Sequence, residues 1–219
     1  MTLDVHIQRL GFANPTLPPL IQDMRLTVQA GQILTLMGPS GSGKSSLLAA
    51  ISGTLQPVAE DPTASARLIF NGRVVLSGQD ISHWPASRRG VGLLFQDALL
   101  FAHMTVAENL LFAVPAGPTA QRWAQVEQAL VEAELQGYGD RDPATLSGGQ
   151  RARVALMRAL LAKPRALLLD EPFSKLDASL RKQFRDFVFE HIRQRAIPSI
   201  LVTHDVLDAA DLGCLVTLK

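Results

Sequence analysis

The sequence has one cysteine, Cys214, in 219 residues. No disulfide can form within the chain, which suits a reducing compartment. An excess of charge of one sign is also missing: 21 Lys and Arg stand against 20 Asp and Glu, a formal net charge of +1. Such a balance provides no basic field for nucleic acid and no acidic tail, so no nucleic-acid partner is expected. No window approaches the ~18 consecutive apolar residues of a membrane-spanning helix. The stretch "LLAKPRALLLD" is interrupted by Lys163, Pro164 and Arg165, so work at a membrane needs another polypeptide to do the spanning. The opening residues "MTLDVHIQRL" lack the apolar core of a secretory leader, and export is not expected. What remains is an ordinary globular composition, 47% hydrophobic and 19% charged. The length suits one large domain, or one domain with an embedded subdomain.

Hydrophobic periodicity divides the chain into thirds. Leu3, Val5 and Ile7 alternate, as do Met24, Leu26 and Val28, which predicts half-buried strands. In "RLIFNGRVVL", Asn71-Gly72 reads as the two-residue turn of a hairpin. "QILTLM" is a short apolar strand running into Gly38, and "SSLLAAISG" a helix stopped by Gly53. The polar, proline-bearing 56–65 is expected to be a flexible excursion. In the middle third, Trp123, Val126, Leu130 and Ala133 share one face of a helix and read as core, with no cofactor role for Trp123. The last third offers the strand "ALLLD", a helix with Leu180, Phe184, Val188 and Ile192 inward, the strand "SILVTH", a short helix and the strand "LVTL". Strands alternating with helices imply a parallel sheet.

Gly38, Pro39, Ser40, Gly41, Ser42, Gly43, Lys44 and Ser45, with Ser46 following, match G-x-x-x-x-G-K-[ST] between a strand and a helix. Glycines let successive N–H groups turn inward on phosphates, and the helix adds its positive end. Lys44 would reach the β- and γ-phosphates and the Ser45 hydroxyl would ligate Mg²⁺, so a nucleoside triphosphate is the expected ligand. Downstream, "ALLLDEP" delivers two carboxylates to the sheet edge. Asp170 is placed to hold Mg²⁺, and Glu171 to take a proton from the attacking water. A second glycine-rich helix start, "LSGGQ" at 146–150, carries no lysine.

With that signature between cradle and carboxylates, the chain resembles the ATP-binding subunits of ABC transporters over nearly its whole length. "VGLLFQDALLFAHMTVAENLLF" is similar to the family's glutamine loop and the start of its helical subdomain. "FSKLD" resembles the loop after the carboxylates, and "ILVTHD" the strand carrying the switch histidine. Among subfamilies it is most similar to ATPases of bacterial importers of the thiamine, molybdate, sulfate and polyamine kind. The resemblance implies an α/β fold: a P-loop nucleotide hydrolase core with an antiparallel β subdomain (1–96 and 158–219) and an inserted helical subdomain (about 97–157). It also implies ATP and Mg²⁺ as cofactors, and ATP hydrolysis coupled to transport.

Further roles come from the same resemblance. Two copies pack head to tail, so that Ser147, Gly148, Gly149 and Gln150 of each meet the γ-phosphate held by the other's cradle. Gln96 contacts Mg²⁺ and the attacking water, and His204 holds the γ-phosphate and positions Glu171's water. Phe12 is the aromatic available to stack on adenine, with an ordinary packing role as its rival. Arg151 and Arg153 are either solvated helix charges or phosphate contacts. Asp177 lies at the dimer interface, caps the following helix, or both. His83 and His103 are ordinary surface or packing residues. The partners implied are a second copy, transmembrane permease subunits and a solute-binding protein, at the cytoplasmic face of the inner membrane.

Three departures from the family pattern stand out, the first being that the excursion at 56–65 is longer than usual. Lys175 occupies a position where alanine is common, and the sequence stops at Lys219, which leaves no room for a C-terminal regulatory domain. Control through such a domain is not expected. The rival functions are a soluble ABC-type ATPase with a non-transport role, which typically adds coiled coils, zinc-binding cysteines or a second cassette, and a P-loop kinase, which has no use for "LSGGQ".

Overall fold

The structure is a computed structural model that describes residues 1–14, 16–55 and 68–218. The excursion expected at 56–65 lies outside the described residues. Two sheets form the frame. The antiparallel one has the order β2 (Ile21–Gln29), β1 (Thr2–Phe12), β4 (Leu68–Leu76), β5 (Gln79–Asp80). The parallel one has the order β6 (Val91–Leu94), β7 (Ala166–Asp170), β8 (Ser199–Val202), β3 (Ile33–Met37), β9 (Leu215–Thr217). Six helices connect them: α1 (Lys44–Ser52), α2 (Ala86–Arg89), α3 (Val106–Ala113), α4 (Thr119–Glu132), α5 (Gly148–Leu161) and α6 (Ala178–Gln194).

The run "ALLL" of β7 has no alternation because both faces of its sheet are covered. Ala166 and Leu168 point into a core shared with β1, β2, β4 and α1. Leu167 and Leu169 point into a second core shared with α3, α4, α5 and α6. Helix α1 is thus sandwiched between the two sheets, with Leu47, Leu48 and Ile51 at most 2% exposed.

Three expectations need correcting. Asn71-Gly72 is not a turn, because β4 runs straight through it. A Cβ on Gly72 would meet the His6 carbonyl oxygen at 2.3 Å and the Phe70 ring at 2.8 Å. Opposite it, the β1 register shifts between Ile7 and Arg9. The glycine therefore serves a close backbone approach at a bulge. The hairpin turn is Ser77-Gly78, with φ of 52° and 78°, between β4 and β5. Trp123 and Leu180 were expected inward but are 38% and 37% exposed. Leu180 lies in the first turn of α6 and Trp123 is the fifth residue of α4; the buried stripes begin a few residues later, at Val126 and Phe184.

One buried cation holds α1 at its far end. Arg89 is 6% exposed. It donates to the carbonyls of Ala50 at 2.8 Å, Ile51 at 2.9 Å, Trp84 at 2.8 Å and Ser82 at 2.7 Å. The first two are carbonyls of the last turn of α1, where the helix dipole is negative and a cation is favourable. Burial pulls the Arg89 pKa below the ordinary arginine value. Arg89→Met keeps much of the apolar stem but leaves four carbonyls without this donor. Unfolding in urea should show a loss of about 2–4 kcal/mol, and the melting temperature should fall by on the order of 10 °C.

Candidate active site

Register brings the site together. Leu94 of β6 pairs with Leu169 of β7, Asp170 of β7 with Val202 of β8, and Val202 with Leu36 of β3. Four adjacent parallel strands therefore finish at one edge. Gln96 follows the end of β6, Glu171 follows β7, His204 follows β8, and the glycine loop starting at Gly38 follows β3. In open α/β sheets this carboxyl edge is where ligands bind.

The loop from Gly38 to Gly43 owes its shape to three glycines with φ of 155°, 83° and 91° at positions 38, 41 and 43. At Gly41 a side chain would meet nothing within 4 Å, so the space beside the loop is open. Helix α1 is entered through Gly43 with no side chain capping its first N–H groups, whereas α3 and α5 both begin with complete capping boxes. Lys44 is 8% exposed. It donates to the carbonyls of Gly38 and Pro39, each at 2.7 Å, and to Ser42 Oγ at 3.5 Å. A buried ammonium with no carboxylate in ion-pair distance among the described residues, beside helix N–H groups that no side chain caps, fits a polyphosphate.

The Ser45 hydroxyl donates to Asp170 Oδ1 at 3.2 Å. Burial raises the Asp170 pKa, opposed by the Ser45 hydrogen bond; the Glu171 charge raises it further and Lys44 lowers it. No group of three or more His, Cys, Asp or Glu side chains could hold a metal among the described residues. One hydroxyl and one carboxylate suit Mg²⁺, which takes its remaining ligands from water and substrate phosphate.

Glu171 sits at φ 47°, a left-handed conformation that is strained for a side chain. Its N–H donates to the Val202 carbonyl at 3.0 Å, and its own carbonyl accepts from the Ser174 hydroxyl at 2.9 Å. His204 Nδ1 lies 3.3 Å from Glu171 Oε2. A cleft of about 410 Å³ is lined by Ser45, Gln96, Asp97, Asp170 and Glu171, together with Phe95 and Leu99. Phe12, at the end of β1, is half-buried and pairs with Leu68.

Signature residues Ser147, Gly149 and Gln150 line a different hollow, beside Glu134, Leu180 and Phe184. Ser147 caps α5: its hydroxyl accepts from Gln150 N at 3.2 Å, and Gln150 Oε1 accepts from Ser147 N at 2.9 Å. Neither Gly148 nor Gly149 has a positive φ. A Cβ on them would meet only Leu176 at 3.9 Å and Leu180 at 3.6 Å, which is ordinary contact. Arg153 ion-pairs with Glu134, donates to the Ala133 carbonyl at 3.1 Å and packs over Phe187, while Arg151 binds the Leu146 carbonyl. Both arginines are thus engaged within the chain. Asp177 does cap α6, accepting from Ser179 N at 3.1 Å and Leu180 N at 3.0 Å.

Sequence patterns gave no sign of the residues that hold His204. Asp208, 2% exposed, accepts from Thr203 Oγ1 at 2.7 Å and from Arg181 Nε at 2.8 Å. Arg181 also reaches Asp205 at 3.1 Å. This network pins the segment on both sides of the histidine to α6. Asp208 was hidden among three acidic residues of "DVLDAAD", and nothing local marks it as the buried one.

A glycine loop with a buried lysine, ahead of a hydroxyl and a carboxylate at the carboxyl edge of a parallel sheet, defines a P-loop nucleotide-binding ATPase. Within that class the chain belongs to the ABC transporter family, whose model matches residues 21–174. It is 50% identical over 191 residues to an uncharacterized ABC transporter ATP-binding protein of Escherichia coli, covering 86% of this chain and 83% of that one. It is 43% identical over 195 residues to the sulfate/thiosulfate import ATP-binding protein of Gloeobacter violaceus, covering 88% of this chain and 53% of that one. With the Fe(3+) ions import ATP-binding protein of Escherichia coli the identity is 38% over 192 residues, covering 87% and 52%. The chain spans about half the length of these two import proteins. Among the described residues no helix is long and apolar enough to cross a membrane.

Asp170 gives a stability test with a definite sign. Its folded-state pKa lies above the ordinary value, so folding is favoured by protonation and is penalised as pH rises through the folded pKa. In nucleotide-free, Mg²⁺-free buffer, Asp170→Asn should therefore melt at a higher temperature than the parent at pH 7. Thermal scans between pH 7 and pH 4 should show that advantage shrinking as the parent's carboxyl becomes protonated.

Proposed function

We propose that this ATPase energises a bacterial solute importer by closing and opening as a homodimer around two ATP molecules. The observation that carries the reading is the pair Gly148 and Gly149. Glycine is a poorer helix former than alanine, yet this chain's own packing has room for a Cβ at both positions. Their bareness suits a close approach from outside the chain, and an anion is what a helix N-terminus receives. In the proposed dimer that anion is the γ-phosphate held by the partner's Gly38–Ser45 loop, with Asp177 near the interface.

Within each copy the roles divide by chemistry. The Lys44 ammonium meets the β- and γ-phosphates, and Phe12 stacks on the adenine. Ser45, Asp170 and Gln96 hold Mg²⁺, which when bound neutralises phosphate charge as the γ-phosphoryl leaves. Glu171 accepts the proton of the attacking water. His204 Nδ1, 3.3 Å from Glu171 Oε2, orients that carboxylate and reaches the γ-phosphate. Loss of the γ-phosphate removes the anion shared between the two chains, and the dimer opens.

The transmembrane permease would dock in an apolar groove of about 510 Å³ whose lining includes Phe95 and Asp97, the neighbours of Gln96. Leu99 and Phe112 stand 57% and 65% exposed on it, and Phe101 packs edge-on against Phe112 at 4.9 Å between centroids. Leu100, between them, packs on the core instead. Import, rather than another ABC role, is supported by the sulfate/thiosulfate and Fe(3+) import proteins among the relatives. A solute-binding protein then belongs to the same system, and the subunit sits peripherally at the cytoplasmic face.

Glu171→Gln should bind ATP like the parent and lose turnover by about 10²–10⁴-fold, accumulating as an ATP-bound dimer on gel filtration. Adding Ser147→Arg should leave nucleotide binding intact, because the cradle lies in the same chain, and keep the protein monomeric. Dimerisation equal to that of Glu171→Gln alone would refute the trans role of the signature. At the groove, Phe112→Asp should leave ATPase activity of the isolated subunit unchanged while abolishing permease co-purification and solute uptake in vesicles. Uptake at the parental rate would exclude this groove as the dock.

A further inference from the structure

The residues flanking Gln96 are fixed very unequally. On its N-terminal side, Leu94 is 4% exposed and locked in the sheet opposite Leu169. On its C-terminal side, Arg158 of α5 donates to the carbonyls of Ala98 at 3.2 Å and Leu99 at 2.9 Å. Asn109, 0% exposed, binds both the N–H and the carbonyl of Phe101. Between these anchors lies a three-residue bridge, Phe95, Gln96 and Asp97, all exposed. Among the described residues, no side-chain hydrogen bond holds Phe95 or Gln96. The one polar side-chain hold on the bridge among the described residues is the ion pair between Asp97 and Lys175, in the loop between Glu171 and Asp177.

From this arrangement we infer that Lys175 is a positioning residue for ATP hydrolysis, which sets Gln96 against Asp170 and Glu171 by tying Asp97 across the cleft. The inference rests on the proposed role of Gln96 in the hydrolytic site. The two loops joined by the pair leave the carboxyl ends of neighbouring strands, β6 and β7, and both line the cleft that holds Ser45 and Asp170. Among the described residues Lys175 ion-pairs with Asp97 at the rim of the cleft and with neither Asp170 nor Glu171. With side chains 53% and 62% exposed, the pair is a weak, salt-screened hold. It can open and reclose within a catalytic cycle, whereas Arg158 and Asn109 keep the following segment in place.

The test is the ATPase kinetics of the full chain. Lys175→Met and Asp97→Asn should each lower kcat by about two- to fivefold, the range of an exposed ion pair, with KM for ATP unchanged because the phosphate cradle is untouched. The double variant should be no slower than either single one, and the exchange Lys175→Asp with Asp97→Lys should recover most of the lost rate. Raising the salt concentration should bring the parent down towards Lys175→Met. In a Gln96→Ala background, Lys175→Met should change nothing further. Parental kcat in Lys175→Met, additive losses in the double variant, or an undiminished effect of Lys175→Met on top of Gln96→Ala would each overturn the inference. Were Gln96→Ala itself to turn over like the parent, the hydrolytic role of Gln96 would fall and the positioning role with it.

Discussion

Everything in the site hangs on one register. Leu94 against Leu169, Asp170 against Val202, and Val202 against Leu36 make four parallel strands end level with one another. Side-chain direction alternates along a strand, so a slip of one residue in β7 would turn Asp170 to the opposite face of the sheet and carry Glu171 with it. The register is held because both faces of β7 are buried: Leu167 and Leu169 belong to one core, Ala166 and Leu168 to the other. Neither set can exchange places with the other without emptying one core and overfilling the second. Packing far below the edge thereby fixes which carboxylate stands beside Ser45.

At that edge the molecule accepts several locally unfavourable arrangements at once. Lys44 is withdrawn from water with its hydrogen bonds going to neutral oxygens, Asp170 is half-buried beside another carboxylate, and Glu171 is bent into a left-handed conformation. Helix α1 begins without a side-chain cap. Each of these features lowers the stability of the isolated chain. Stabilisation comes from elsewhere: Arg89 secures the last turn of α1 through two of its carbonyls, and Arg181 with Asp208 secures the segment around His204. Functional sites commonly show this division between a strained first contact layer and a fully satisfied support.

The signature helix shows the same logic at a surface. Its capping box, Ser147 with Gln150, already satisfies α5 as a helix. That makes Ser147 a residue with two duties, one inside the chain and one proposed across an interface. The glycines have no such internal duty, since a Cβ would be tolerated at both. Leu176 and Leu180, which approach them, come from the loop after the carboxylates and from the first turn of α6. The exposure of Leu180 follows from this position at the signature's edge.

Residues that act through backbone conformation or through short spacing were legible in the sequence. The Gly38–Ser45 cradle, the carboxylates after "ALLL", the helix stop at Gly53 and the alternation of Leu3, Val5 and Ile7 each declare themselves within a few positions, because their chemistry depends on near neighbours. Gly72 misled because a glycine allows both a tight turn and a close crossing, and only the opposing strand β1, with its bulge, decides between them. What the sequence could not convey are pairings between distant positions: Asp97 with Lys175 across 78 residues, Arg158 with Ala98 across 60, Arg181 with Asp208 across 27. A charged side chain carries no local mark of its partner or its burial. Those are settled only when the two cores close and bring separate strand ends and helices to the same edge.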